Sequence, residues 1–160
     1  MTESARILVI DDELVIRKTI SLALTHAGYV VDTAESGKEA IEKAEANFYN
    51  LALIDIRLPD MEGTELLTTL KKTTPKMVKI ILTGYPALQN AVKAINGGVD
   101  YYIIKPVDPD ELLRVIKEEL DKQRREKEYG QEKLAQFVES RINELQTQEL
   151  ANAKAKIVEA

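Results

Sequence analysis

Residues 7–14 read Ile7-Leu8-Val9-Ile10-Asp11-Asp12-Glu13-Leu14: four branched apolar residues, an abrupt acidic step, and then the first residue of a helical pattern. A run so short and so apolar suits a strand buried on both faces of a sheet. Outward along the chain the arrangement recurs, with Tyr29-Val30-Val31, Leu51-Ala52-Leu53-Ile54, Val78-Lys79-Ile80-Ile81-Leu82 and Tyr101-Tyr102-Ile103-Ile104 as further strands, five in all. Helical period fills the intervals, as in Leu14, Ile16, Ile20, Leu22 and Leu24, or Ala40, Ile41 and Ala44. Strands alternating with helices predict an α/β fold, a doubly wound parallel sheet with helices on both faces.

The boundaries carry their own signals. Ser36 with Glu39 and Asp108 with Glu111 have capping-box spacing, and Pro109 falls where a first helical residue would. Gly28 and Gly97-Gly98 stand where helices should stop. After Pro109 there is no further proline, and Gly130 is the only later glycine, so a helix begun at Asp108 has little reason to end before residue 129.

Composition narrows the function. The 160 residues hold no cysteine and a single histidine, His26, which excludes disulfide frameworks, thiolate zinc sites, cysteine nucleophiles and His-rich metal sites. His26 itself reads as a helix C-terminal dipole partner. No run approaches a membrane span, and Met1-Thr2-Glu3-Ser4 opens directly into the first strand, so the expectation is a soluble, cytoplasmic protein without membrane contact. Residues 1–120 carry 14 Lys and Arg against 19 Asp and Glu, whereas residues 121–160 carry 8 of each. An acidic body and a neutral tail predict no direct nucleic-acid binding.

In a doubly wound sheet the site lies at the carboxyl ends of the strands. Asp11 and Asp12 follow the first run, Asp55 the third, Thr83 the fourth, and Lys105 with Pro106 the fifth. Three carboxylates brought together resist ionising unless a cation joins them. Oxygen donors alone suit Mg2+, and the lysine and hydroxyl left over suit a tetrahedral anion such as a phosphoryl group. Each residue alone has a plainer reading: the acidic pair as a helix N-cap, Lys105 as a surface charge, Thr83 as a turn residue, Tyr102 as core packing. Their joint placement is what argues for a site.

As a set, Asp11-Asp12, Ile54-Asp55-Ile56-Arg57-Leu58-Pro59-Asp60-Met61-Glu62-Gly63, Thr83-Gly84-Tyr85-Pro86 and Tyr102-Ile103-Ile104-Lys105-Pro106 resemble the response regulator receiver domains of two-component systems. The resemblance covers residues 1–120 and implies a flavodoxin-like sheet of strand order 2-1-3-4-5. It implies Asp55 as phosphoacceptor, Mg2+ held by Asp12, Asp55 and the Arg57 backbone carbonyl with Asp11 helping through water, and Lys105 on the phosphoryl oxygens ahead of a cis bond to Pro106. Thr83 and Tyr102 would form a switch acting on the face of helix four, strand five and helix five. Arg57 and Tyr85 would tune hydrolysis, and both being bulky implies a longer-lived aspartyl phosphate. The implied partners are a sensor histidine kinase and an unknown downstream protein. The domain would be no enzyme beyond catalysing its own phosphorylation and dephosphorylation.

Three other functions fit poorly. A phosphatase of the haloacid dehalogenase kind wants an aspartate two residues after its nucleophile, where Arg57 follows Asp55 and Leu14 follows Asp12. A nucleotide-binding module lacks its glycine-rich loop, there being no glycine before Gly28. A transcription factor would need a helix-turn-helix or a basic face. Residues 121–160 read as a helical extension with no recognisable output domain. Val138, Ile142 and Leu145 make a stripe of about two heptads, below what a coiled coil needs. A dimerising helix, a helix folding back on the receiver and a connector all remain open for this segment, with self-association preferred and Ala151–Ala160 expected to fray.

Overall fold

The computed structural model describes residues 4–74, 76–84 and 99–159. Its elements are β1 (Arg6–Ile10), α1 (Leu14–His26), β2 (Val30–Ala34), α2 (Gly37–Ala46), β3 (Leu51–Asp55), α3 (Gly63–Thr73), β4 (Val78–Thr83), β5 (Tyr101–Ile104) and α4 (Pro109–Glu159). Gly97-Gly98, Tyr85, Pro86 and the helix expected between β4 and β5 lie outside the described residues. The strands pair in parallel in the order β2-β1-β3-β4-β5, as the resemblance implied. The chain divides into two compact units, Met1–Asp121 and Lys122–Ala160.

Alternation along the strands sends side chains to two cores. Leu8, Ile10, Ala52, Ile54 and Ile81 meet Ala40 and Ala44 of α2 and Leu66, Leu67 and Leu70 of α3 on one face. Ile7, Val9, Leu53, Ile80, Leu82 and Ile103 meet Ile20 and Leu24 of α1 and Leu112, Val115 and Ile116 of α4 on the other. Burial on both faces holds for the central strands β1, β3 and β4 but not for β2 and β5, which have a neighbour on one side only and expose Val30, Tyr101 and Ile104.

Several boundaries differ from expectation for identifiable reasons. β2 starts one residue later than expected because Tyr29 still belongs to the end of α1: Gly28 takes φ 100° and the Tyr29 N–H donates to the Leu24 carbonyl. The strand then runs on through polar Asp32, whose carboxylate accepts from Tyr49 Oη at 2.6 Å and pairs with Arg6 at 3.3 Å. On α1 only Ile16, Ile20 and Leu24 turn to the core, while Leu14 and Leu22 are exposed. A helix packed by one side on a sheet buries a narrow i, i+4 row.

Gly130 does not interrupt α4, and Ala151–Glu159 is helical and not frayed. One glycine costs about 1 kcal/mol relative to alanine, too little to stop a helix set between strong helix formers. Residues 124–157 are exposed, including Leu134, Phe137, Val138, Ile142 and Leu145. Lys79, which sequence places in an apolar run, is only 1% exposed. Its Nζ donates to the carbonyls of Thr74 at 2.9 Å and Met77 at 2.8 Å, tying the end of α3 to the start of β4. Burial holds its pKa below the ordinary lysine value, against the pull of Asp100.

Candidate functional site

β1 ends at Ile10 and β3 at Asp55, adjacent in the sheet, so Asp11 and Asp12 leave one strand beside the point where Asp55 ends the next. One carboxylate oxygen from each of Asp11, Asp12 and Asp55 lies within 4.8 Å of the others. Asp11 is fully buried and Asp55 is 6% exposed, while Asp12 is open to solvent. β5 delivers Lys105, whose backbone N–H donates to the Thr83 carbonyl at 2.8 Å and whose Nζ stands 3.2 Å from Asp11 Oδ2 and 3.4 Å from Asp55 Oδ1. The Lys105–Pro106 peptide bond is cis.

The electrostatics leave the site short of positive charge. Burial first, and then the Asp11 carboxylate, push the Asp55 carboxyl up to about 6, although Lys105 and the Arg57 N–H pull the other way. Burial opposes charge on Lys105, but the carboxylates of Asp55 and Asp11 outweigh it and hold the ammonium above the ordinary lysine value. One ammonium therefore does not neutralise the acidic cluster. Oxygen-only donors, net negative charge and a raised carboxyl pKa fit a hard divalent cation.

Thr83 ends β4, fully buried, and Tyr102 is half-buried on β5 against the same core that receives Ile81. The register pairs Thr83 with Ile104 and Ile81 with Tyr102, so Thr83 and Tyr102 share one face of the sheet on adjacent strands. Arg57 is exposed two residues beyond Asp55 and donates its N–H to Asp55 Oδ1 at 3.4 Å. Tyr101 is 37% exposed at the sheet edge.

Sequence reading missed several supports of this cluster. Asp11 Oδ1 accepts from the Glu13 N–H at 2.9 Å, and the Arg17 guanidinium donates to the Asp11 carbonyl at 2.7 Å while facing Glu35 at 3.8 Å. A basic residue near the N-terminus of a helix opposes the dipole, which is the signal that Arg17 has an acidic or carbonyl partner nearby. Gly63 has a steric reason: a Cβ there would lie 2.6 Å from the Asp55 carbonyl oxygen and 2.8 Å from Ile56 Cα.

A family model for the response regulator receiver domain matches residues 7–117. The chain belongs to the response regulator receiver family. This receiver is similar to a CheY-like receiver domain protein of Methanospirillum hungatei, with 48% identity and a TM-score of 0.74 over 78% of this chain and 99% of that one. It is also similar to the response regulator TrrA of Thermotoga maritima, solved in complex with Mg2+ and BeF, with 34% identity and a TM-score of 0.66 over 71% and 97% of the two chains. Transcriptional regulatory protein GlrR of Escherichia coli is 37% identical over 117 residues, which make up 73% of this chain and 26% of that protein. The receiver thus spans about a quarter of that relative's length. Receivers of this family are phosphorylated on an aspartate, bind Mg2+ at an acidic pocket and interact with histidine kinases; Asp11, Asp12 and Asp55 form the acidic cluster here. Among the described residues no helix is long and apolar enough to cross a membrane.

Proposed function

We propose that this receiver takes a phosphoryl group from the phosphohistidine of a sensor kinase onto Asp55 and signals by the change that follows. The observation that carries the reading is the convergence of three carboxylates within 4.8 Å, with Lys105 between Asp11 and Asp55. Mg2+ would be held by Asp12, Asp55 and the Arg57 carbonyl, with Asp11 acting through water, and would neutralise charge on the transferring group. The Asp55 carboxylate attacks phosphorus as the histidine P–N bond breaks, and the imidazole leaves. No general base is needed, because an ionised carboxylate is already the nucleophile. Lys105 neutralises the incoming oxygens from a site already prepared by two carboxylates.

Thr83, on the face it shares with Tyr102, would turn its hydroxyl to the phosphoryl group. Tyr102 would then move inward and reshape the surface of β5 and its flanking helices for a downstream protein or a second copy of the chain. Arg57 and Tyr85 would shield the aspartyl phosphate and lengthen its life. The domain would act on no substrate other than itself, and its route to any output would be through a partner and not through nucleic acid.

Intact mass spectrometry with acetyl phosphate, with and without Mg2+ and beside Asp55→Asn, tests the core of this reading. The expected result is one Mg2+-dependent phosphoryl adduct that the variant lacks. An adduct retained by Asp55→Asn, or none in the wild type, overturns it.

A further inference from the structure

Asp60 has no role in the scheme above, yet its carboxylate makes two backbone hydrogen bonds far away in sequence. Oδ1 accepts from the Gly37 N–H at 2.8 Å and Oδ2 from the Lys38 N–H at 2.9 Å. These are the first two amides of α2, and Ser36 Oγ takes the third, from Glu39, at 3.1 Å. Asp60 is therefore an N-cap supplied to α2 from another loop. Its neighbour Met61 closes the same junction: a Cβ on Gly37 would fall 2.4 Å from Met61 Sδ.

The loop concerned is the one that leaves Asp55. At its root the Gly63 N–H donates to the Ile56 carbonyl at 2.7 Å, and Arg57 forms an antiparallel bridge with Glu62. At its tip Asp60 and Met61 are fastened to α2. A backbone carbonyl has no side-chain torsion with which to find a metal, so its position is that of its loop. The Lys38 N–H, on an exposed residue, could be satisfied by water at little loss, whereas the two bonds to Asp60 tie the tip of the loop to another element.

We propose that Asp60 is a positioning residue for the metal: by clasping Gly37 and Lys38 it fixes the loop that carries the Arg57 carbonyl before the ion arrives. The inference rests on the reading of that carbonyl as a Mg2+ ligand. Groups that orient ligands from outside the coordination sphere typically change metal affinity by about 10–100-fold.

Calorimetric titration of Mg2+ into the full chain tests the proposal without reference to phosphorylation. Asp60→Ala is expected to weaken Mg2+ binding about tenfold, with faster hydrogen exchange at the Gly37 and Lys38 amides in metal-free protein. Asp60→Asn, which keeps one acceptor oxygen, is expected to fall between Asp60→Ala and wild type, and it carries the test should Asp60→Ala fail to fold. Ser36→Ala removes the other cap of the same helix and is expected to stay within about twofold of wild type. Equal losses in Ser36→Ala and Asp60→Ala would mark a general effect of helix stability, and equal losses in Asp60→Asn and Asp60→Ala a long-range effect of charge; either overturns the proposal. Wild-type affinity in Asp60→Ala overturns it alone, whereas a wild type that takes up no Mg2+ removes the site reading and the proposal together.

Discussion

The Asp55 carboxyl, buried beside Asp11 and Lys105, has a cost in the metal-free protein that its pKa of about 6 records. In the unfolded chain the same group titrates near 4, so between roughly pH 4 and 6 the folded state holds the extra proton. Asp55 therefore favours folding below that window and loses this contribution as pH rises through about 6. We predict that Asp55→Asn raises stability in urea at pH 7.5 without Mg2+, by on the order of 1–3 kcal/mol, and that the advantage fades toward pH 4. The same titration gives a second prediction: Mg2+ stabilises the wild type at pH 7.5 and progressively less as pH falls below 6. Urea midpoints of both proteins across pH, with and without Mg2+, check both. A pH-independent difference would assign the effect to packing and not to charge.

The loop 56–63 leaves little room for change. Gly63 sits where any Cβ meets the backbone of Asp55 and Ile56, so Gly63→Ala is predicted to cost about 2 kcal/mol or more and to displace the phosphoacceptor. Thermal denaturation reads the first effect and Mg2+ titration the second. The opposite sign is expected at Gly130, where a Cβ meets nothing within 4 Å: Gly130→Ala should raise helix content and helix stability by about 1 kcal/mol, seen by far-UV circular dichroism on heating. The two glycines also show what sequence could and could not convey. Gly130 looked like a helix end and is not one, because local propensity is summed over many neighbours. Gly63 appeared only as part of a motif, its reason being an approach between segments that period and composition do not encode. The strands and the residues at their carboxyl ends were legible because apolar runs ending in Asp11, Asp55, Thr83 and Lys105 recur at every crossover but the second, whereas the strand order came only with the resemblance to receivers. The clasp of Asp60 and the carbonyl bond of Arg17 were not, since each joins loops through tertiary geometry.

At the scale of the whole chain, Met1–Asp121 carries the sheet, both cores and the acidic cluster. A chain ending at Asp121 is accordingly predicted to keep Mg2+ binding and labelling by acetyl phosphate, with a cooperative melt; loss of either would make residues 122–160 part of the receiver. Light scattering of the full and shortened chains tells whether Leu134, Val138, Ile142 and Leu145 join two copies, the full chain being expected to run as the larger species before phosphorylation. Lys79 offers a different use. Amine-reactive esters modify unprotonated, accessible lysines, and this amine is shut beneath the end of α3 with two carbonyls on it, in a protein whose other lysines in view are largely at the surface. Its acylation has to wait for the junction of α3 and β4 to open, so the rate at which Lys79 is tagged is a built-in clock for that opening, readable in a peptide map with no engineered probe.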